Sequence, residues 1–325
     1  LEEDLIRRDL TINAMAQDEA GNVIDPFGGQ RDLGEKLLRH VSYAFTEDPL
    51  RVLRVARFAA RYHHLGFTIA EETMELLKSI VDQGEMEFLV AERVWKETSR
   101  ALTEQSPHIY IEVLRNCGAL NVLFPEIDAL FGVPQRADYH PEVDTGIHTL
   151  MALEQAVKIS DSGAVRFSVL VHDVGKALTP DTVLPSHKGH ETSGIPLVQA
   201  MCDRLGVPNQ YRQLAMAVTE YHLHSHKAKE LKPATMLKLF QSIGALRDNN
   251  RLKDFLYCCE ADARGRAGFE EITYQPKKYL TDALLALQKV DISDLVADGV
   301  KGSDIGVQLK QRQIEQLTIF KSENL

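Results

Sequence analysis

A helical hydrophobic pattern runs from Asp48 through the rest of the chain, and it constrains the fold more than any other sequence feature. Asp48-Pro49 is a strong helix start, because an acidic N-cap residue is followed by proline at the first helical position. Further helical segments follow at short intervals, and residues 178–190, which contain Pro180, Pro185 and Gly189, are predicted to form a loop. The sequence therefore predicts a mostly α protein.

The first 44 residues have a mixed pattern. The segment after Asp9 is predicted to be helical to about Gln17, residues 21–29 carry turn, strand and turn signals, and residues 37–41 are predicted to form a short strand. This mixture is typical of an α/β domain. Because the chain opens in the middle of this pattern, we expect residues 1–44 to be the C-terminal remnant of such a domain, with its N-terminal part missing.

Composition narrows the classes of function. The net charge of −10 argues against nonspecific polyanion binding over the whole surface, although a local basic site remains compatible with it. No run of about 18 apolar residues occurs, so no membrane span is predicted. The four cysteines match no zinc-binding pattern, which predicts reduced thiols in a cytoplasmic protein. A monomer and a homodimer are both compatible with the sequence.

The helix that begins after Asp48 has an arginine-rich face. Within about 120° of a helical wheel lie four arginines, namely Arg51, Arg54, Arg57 and Arg61. One interpretation is an ordinary solvated surface. The other is an anion-binding surface, because four cations without an interleaved acid repel one another. A nucleoside triphosphate or an RNA backbone would supply the anion.

Asp48 and Arg51 are three residues apart at the helix start and can share a face. A carboxylate accepts hydrogen bonds and a guanidinium donates them. Cytosine and adenine each present an amino donor beside a ring-nitrogen acceptor, whereas uracil and guanine present the reverse order. The pair therefore predicts selection of C and A bases, and the alternative is that Asp48 only caps the helix.

The second half of the chain carries histidines and aspartates suited to a metal site. His172-Asp173 ends an apolar run, with His148 before it and Asp262 after it. A charged pair at the end of a buried helix needs partners, and a divalent ion would supply them. His187, His190 and His222 are further candidates, among which the sequence does not choose. His224 and His226 are expected at the surface.

Arg7-Arg8-Asp9 and the segment from Glu47 to Phe58 together resemble the bacterial class II tRNA nucleotidyltransferases, which comprise CCA-adding enzymes and related poly(A) polymerases. The resemblance implies a tRNA partner and Mg²⁺ for nucleotidyl transfer. It implies that CTP and ATP are bound by Arg8, Asp48, Arg51, Arg54 and Arg57. The family's glycine-rich loop and metal-binding Asp-x-Asp pair lie upstream of the Arg-Arg-Asp motif and do not occur in these 325 residues. We therefore expect this chain alone to lack nucleotidyl transfer.

The ordered histidines and aspartates resemble the HD phosphohydrolase superfamily. The resemblance implies one divalent ion bound by His148, His172, Asp173 and Asp262. Mixed nitrogen and oxygen ligands suit Ni²⁺, Mn²⁺ or Mg²⁺ better than structural zinc. The predicted catalytic residues are His172, Asp173 and Lys176, with Lys176 stabilising phosphate charge. A second metal or the substrate is the expected partner of His190 and His222.

These features predict a four-part, mostly α chain. The parts are a remnant of the α/β nucleotidyltransferase head (1–44), a helical neck and tRNA-binding body (45–143), an all-helical HD domain (144–246) and a helical tail (247–325). The predicted function is template-independent CCA addition and repair at tRNA 3′ ends, combined with 2′,3′-cyclic phosphodiesterase, 2′-nucleotidase and phosphatase activity. The alternatives are a poly(A) polymerase, a stand-alone HD nucleotide hydrolase and an RNA-binding protein without enzymatic activity.

Overall fold

The computed structural model of the chain describes residues 1–293 and 303–324. The described chain is mostly helical, which confirms the predicted fold class. Residues 294–302 and 325 of the predicted tail lie outside the described residues. The predicted boundaries at residues 44, 143 and 246 stay predictions.

The N-terminal segment contains short elements. In chain order they are α1 (Glu2–Leu5), a 3-10 turn (Thr11–Asn13), β1 (Ala16–Gln17), β2 (Val23–Ile24), α2 (Gly29–Glu35) and β3 (Leu37–Leu38). Strand β1 pairs antiparallel with β2, and β3 pairs in parallel with β4 (Thr68–Ile69), which ties this segment to the helices that follow. The strand predicted within 37–41 is confirmed.

The prediction of a helix from after Asp9 to about Gln17 was wrong. The side chain of Asn13 accepts a hydrogen bond from the Leu10 backbone nitrogen at 3.2 Å. The Thr11 hydroxyl donates to buried Asp32 at 2.7 Å, and the Thr11 backbone nitrogen donates to the Arg39 carbonyl. The segment therefore hydrogen-bonds to Asp32 and Arg39, which are distant in sequence, and does not form the i to i−4 backbone bonds of an α-helix.

Helices form the remainder. The helices before residue 130 are α3 (Arg51–Tyr62), α4 (Glu71–Asp82), α5 (Ala91–Leu102), α6 (Pro107–Asn116), α7 (Ala119–Leu123) and α8 (Pro125–Asp128). Those that follow are α9 (Thr145–Ile159), α10 (Gly163–Val171), α11 (His190–Leu205), α12 (Asn209–His226), α13 (Pro233–Ser242), α14 (Asn249–Arg264), α15 (Gln275–Leu287) and α16 (Ser303–Asn324). Further 3-10 turns span Tyr43–Glu47, His63–Leu65, Glu85–Phe88, Val174–Leu178 and Ala228–Glu230. Each described helix is too short or too polar to cross a bilayer.

Helix α10 lies between two hydrophobic cores. Phe167, Leu170 and Val171 pack into a core shared with α3–α8, whereas Val165 and Val169 pack into a core shared with α12–α16. A helix that is apolar on all sides is stable only when it is buried in this way. The residues that follow the C-terminal end of α10 therefore lie in the interior. The loop predicted over 178–190 follows the turn Val174–Leu178 and ends where α11 begins.

Candidate metal centre and nucleotide-binding surface

The end of α10 brings together the four residues predicted to bind the HD metal. His172 and Asp173 follow α10 directly, His148 comes from α9 and Asp262 from α14, and all four are buried. Nε2 of His148 lies 3.1 Å from Oδ1 of Asp262, and Nε2 of His172 lies 3.7 Å from the same oxygen. Oδ2 of Asp173 lies 3.2 Å from Nε2 of His172. These residues are distant in sequence but adjacent in space.

The second carboxylate oxygen of Asp173 faces another pair of histidines. Its Oδ1 lies 3.1 Å from Nε2 of His190 and 3.7 Å from Nε2 of His222, and the two ring nitrogens are 3.3 Å apart. Asp173, His190 and His222 thus form a second group of three buried donors beside the first. The two groups of candidate donors therefore lie beside different oxygens of Asp173.

His187 is not part of either group. Its Nε2 donates to the Pro134 carbonyl at 3.0 Å, and its Nδ1 lies 2.7 Å from the Thr179 hydroxyl. Both ring nitrogens are therefore occupied. Of the three histidines that the sequence left open, His190 and His222 approach Asp173 and His187 does not.

Backbone carbonyls fix the orientation of the candidate ligands. Nδ1 of His172 donates to the Val169 carbonyl at 2.6 Å. Nδ1 of His190 donates to the His187 carbonyl at 2.7 Å, and Nδ1 of His222 donates to the Val218 carbonyl at 3.0 Å. Each ring consequently presents Nε2 to the cluster, as metal-binding histidines usually do. Despite the short distances within the cluster, Nε2 of His172 and Oδ1 of Asp173 are buried and make no hydrogen bond of good geometry. Unpartnered buried polar atoms are costly, so this donor set fits a divalent ion.

Burial and the neighbouring charges shift the pKa values of the cluster residues in opposite directions. Burial lowers the pKa of His172, but Asp173 and Asp262 outweigh burial and raise it to about 10. Burial likewise works to raise the pKa of Asp173, yet the positive charges of His172 and Lys176 hold it well below its usual range. Burial lowers the pKa of His222 to about 3, so that ring is neutral and its Nε2 lone pair is available.

Lys176, which was predicted from the sequence as a catalytic residue, lies beside Asp173 in the same cluster. Its Nζ is 2.6 Å from Oδ2 of Asp173 and donates to Oε1 of Gln135 at 2.6 Å. The side chain is buried. The ammonium thus partly neutralises the two aspartates that the site gathers.

His226, which was expected at the surface, is partly buried and lies against the metal cluster. Its side chain is only 25% exposed, and Nε2 donates to Oδ2 of Asp262 at 2.7 Å. His222 and His226 are four residues apart on α12 and share a face, so the helical spacing could have indicated this position. His224, also expected at the surface, is partly buried.

Glu142 is a further residue of the site that the sequence did not indicate. Its Oε1 lies 3.0 Å from Nδ1 of His140 and 3.0 Å from Nδ1 of His148. Burial raises its pKa, but the two histidines outweigh burial and hold the pKa far below its usual range. Because Glu142 precedes the helix that carries His148, no helical spacing connects the two residues.

The Arg7-Arg8-Asp9 motif lies directly against helix α3. Oδ2 of Asp9 accepts hydrogen bonds from Nε (2.8 Å) and Nη2 (2.5 Å) of Arg54. Arg51 donates to the backbone carbonyls of Arg7 and Ala44, each at 2.6 Å. Two motifs that are about 45 residues apart in sequence therefore form one continuous surface.

The arginine face is neither an ordinary solvated surface nor a set of unbalanced cations. Arg57 is buried and donates to Glu97 at 2.7 Å, while Arg61 pairs with Glu104 at 2.7 Å. Together with Asp9, these acids neutralise the face. They come from distant segments, so the local spacing of charges could not reveal them.

Asp48 and Arg51 have separate partners in the structure. One Asp48 oxygen accepts from the Leu50 backbone nitrogen at 3.1 Å in the turn just before α3, whose N-cap residue is Leu50, and the other accepts from Arg93 at 2.7 Å. The side chains of Arg8, Asp48 and Arg54 are 53%, 35% and 35% exposed. Those of Arg51 and Arg57 are only 12% and 7% exposed, so the two groups differ in their access to a ligand.

Comparison with known families agrees with this arrangement. Residues 1–39 match the poly A polymerase head domain, residues 66–131 match the probable RNA and SrmB-binding site of polymerase A, and residues 145–266 match the HD domain. The matches thus place part of a poly A polymerase head and a polymerase-type RNA-binding segment before an HD domain in one chain.

Three relatives are each named multifunctional CCA protein. Identity is 53% for the protein from Teredinibacter turnerae, covering 99% of this chain and 78% of the relative. It is 54% for that from Thioalkalivibrio sulfidiphilus (99% and 79%) and 55% for that from Acinetobacter baumannii (100% and 78%). The chain belongs to the multifunctional CCA protein family.

Solved structures share the fold at lower identity. A CCA-adding enzyme in complex with CTP matches with a TM-score of 0.63 at 21% identity, covering 97% of this chain and 68% of that one. The Thermotoga maritima CCA-adding enzyme complexed with tRNA matches with a TM-score of 0.60 at 20% identity, covering 100% and 74%. These matches establish a common arrangement of helices.

Proposed function

We propose that the protein takes part in template-independent addition of C, C and A to the 3′ end of tRNA, with these residues selecting CTP and ATP rather than performing the transfer step, and that its HD site hydrolyses phosphoesters. The observation that carries most weight is the contact of Asp9 with Arg54, which joins the Arg-Arg-Asp motif to the arginine helix. It occurs in a chain whose relatives are multifunctional CCA proteins. This family assignment favours CCA addition over the poly(A) polymerase alternative.

In the proposed nucleotide site, Arg8 and Arg54 bind the phosphates, and Asp48 and Arg51 recognise the base edge, for which Arg51 releases the carbonyls of Arg7 and Ala44. When a nucleotide binds, Asp48 releases Arg93 and accepts a hydrogen bond from the amino group of cytosine or adenine. This release costs little, because the ion pair between Asp48 and Arg93 is exposed and weak. Arg57 acts indirectly, since its ion pair with Glu97 holds α3 against α5. Nucleotidyl transfer itself requires Mg²⁺, for which we propose no ligand among these residues.

Nucleotide binding to this chain tests the base-recognition part. We expect tighter binding of CTP and ATP than of UTP and GTP in isothermal titration calorimetry. Asp48→Asn places amide hydrogens where the carboxylate accepts, and it is expected to abolish that preference. Asp282→Asn, which alters an exposed carboxylate on α15, is the matched control. Equal affinity of the unchanged chain for CTP and UTP contradicts the proposed roles of Asp48 and Arg51.

For the HD site, we propose that His148, His172, Asp173 and Asp262 hold one divalent ion, and that Asp173, His190 and His222 hold a second. Bound there, Ni²⁺, Mn²⁺ or Mg²⁺ supplies Lewis-acid polarisation of a phosphoryl oxygen. Lys176 adds positive charge beside Asp173, which favours an anionic phosphoester in the site. Hydrolysis of a 2′,3′-cyclic phosphate or a 2′-phosphate would restore a tRNA end that can be extended.

Hydrolysis by this chain tests the second part independently of nucleotide addition. Protein stripped of metal is supplied with Ni²⁺, Mn²⁺ or Mg²⁺, and cleavage of 2′,3′-cyclic AMP and release of phosphate from 2′-AMP are measured. We expect turnover that is lost in His172→Ala and retained in His224→Ala, a matched change outside the cluster. Absence of turnover with every metal contradicts the hydrolase proposal.

We also propose a cytoplasmic location. All four cysteines are free and buried, as expected of a protein that works in a reducing compartment. Analytical ultracentrifugation distinguishes the monomer from the homodimer, both of which we retain.

A further inference from the structure

A hydrogen-bonded chain of side chains approaches the metal centre from outside the proposed ligands. Oδ2 of Asp262 accepts from Nε2 of His226 at 2.7 Å. Nδ1 of His226 lies 3.0 Å from the Tyr274 hydroxyl, which in turn lies 2.8 Å from the Ser225 hydroxyl. Tyr274 and Ser225 are buried. The imidazole of His226 is thus held at both ring nitrogens.

The direction of these bonds follows from the groups involved. An ionised carboxylate only accepts, so Nε2 of His226 carries the hydrogen. Its Nδ1 then faces the Tyr274 hydroxyl. With Oδ2 of Asp262 occupied, its Oδ1 is the oxygen that faces His148 (3.1 Å) and His172 (3.7 Å). The ring therefore selects which carboxylate oxygen is presented to the metal.

We propose that His226 is a positioning residue for the HD metal, that Tyr274 orients His226, and that the segment after the HD match is consequently a working part of the metal site. Tyr274 lies just before α15 and beyond residue 266, where the match to the HD domain ends. The inference rests on the proposed metal-dependent function. Partners of this kind, hydrogen-bonded to a ligand, commonly contribute about 10–100-fold to metal affinity.

The test measures Mn²⁺ binding rather than turnover. Free Mn²⁺ is followed by electron paramagnetic resonance during titration of metal-stripped protein, and folding of each variant is checked by thermal denaturation. His226→Ala is expected to weaken the binding of one Mn²⁺ ion by about 10–100-fold. His226→Gln restores most of the affinity, because the glutamine amide nitrogen can replace Nε2 as the donor to Asp262.

Two tyrosine variants separate positioning from packing. Tyr274→Phe removes only the hydroxyl that contacts His226, and we expect a smaller loss of Mn²⁺ affinity than in His226→Ala. Tyr279→Phe is the matched control, because the Tyr279 hydroxyl is buried on the following helix without a hydrogen-bond partner. Its Mn²⁺ affinity should equal that of the unchanged chain.

The outcomes distinguish this inference from the function on which it rests. Folded His226→Ala protein that binds Mn²⁺ like the unchanged chain overturns the role of His226 and leaves the hydrolase proposal intact. Equal losses in Tyr274→Phe and Tyr279→Phe overturn the role of Tyr274. Failure of the unchanged chain to bind Mn²⁺ overturns both the metal site and its positioning residues.

Discussion

Arg57 on α3 and Glu97 on α5 form a buried ion pair, with the arginine Nε 2.7 Å from Oε2 of the glutamate. The two side chains are only 7% and 4% exposed. Removal of Glu97 leaves Arg57 in a poorly solvated position with only Glu104, 3.7 Å away, as an ionic partner, at a cost of up to about 3–5 kcal/mol. We therefore expect Glu97→Gln to lower the free energy of unfolding by about this amount, as measured by urea denaturation.

An exposed ion pair supplies the control for this prediction. Lys278 and Asp282 pair on the surface of α15, where the lysine side chain is 78% exposed. Such pairs contribute at most about 1 kcal/mol, so Asp282→Asn should have little effect on unfolding. If both variants lose the same small amount of stability, the buried pair does not stabilise the packing of α3 against α5.

Glu97 also illustrates what the sequence could and could not predict. Helical periodicity identified α3 and its arginine face, since that information lies within consecutive residues. The acids that neutralise the face lie outside α3: Asp9 precedes it by about 45 residues, Glu97 is on α5, and Glu104 follows the end of α5. Only tertiary packing brings them to the arginines, so a local pattern suggested unbalanced charge where the structure has ion pairs.

The residues of the metal cluster were likewise only partly predictable from the sequence. His172-Asp173 was recognisable because the pair ends an apolar run that must be buried. The choice between His187 and His190 was not predictable, because it depends on which ring nitrogens are already used by neighbouring groups. His226 was identifiable in principle from its spacing to His222, but Glu142 was not.

The cysteines should be unreactive in the folded protein. Burial raises the pKa of Cys202 to about 11 and those of Cys258 and Cys259 well above their usual range, and it also raises that of Cys117. Because the thiolate is the reactive form, we expect almost no reaction with Ellman's reagent at neutral pH. All four thiols should react after denaturation. One rapidly modified cysteine in the native protein contradicts this prediction.

His108 should make the protein less stable in mild acid. Burial lowers its pKa below the usual 6.5, Glu112 opposes that shift and His63 adds to it. Oε1 of Glu154 also lies 3.5 Å from its Nε2. A lowered pKa means that the unfolded chain binds the proton first as the pH falls, so stability decreases below about pH 6.5.

The His108→Gln variant isolates this contribution, because the nearby acids remain in both proteins. We expect the unchanged chain to lose more free energy of unfolding than the variant between about pH 7 and about pH 5. Urea denaturation at the two pH values measures the difference. Parallel losses in the two proteins would show that His108 does not contribute to acid sensitivity.

The close approach of Gly175 to α11 should matter for both stability and metal binding. A Cβ at this position would overlap the carbonyl oxygen of His190 and lie 2.6 Å from the backbone nitrogen of Gly194. Gly175→Ala must therefore push the turn Val174–Leu178 away from α11, which separates Asp173 from Nε2 of His190, now 3.1 Å from its Oδ1. We expect the free energy of unfolding to fall by about 1–3 kcal/mol and one of two bound Mn²⁺ ions to be lost.

Gly34→Ala is the matched control, because no atom lies within 4 Å of its added Cβ. Since alanine also favours a helix by up to about 1 kcal/mol, this control should be at least as stable as the unchanged chain and bind the same number of ions. Unaltered stability and Mn²⁺ stoichiometry in Gly175→Ala would mean that the second group of donors does not depend on this contact.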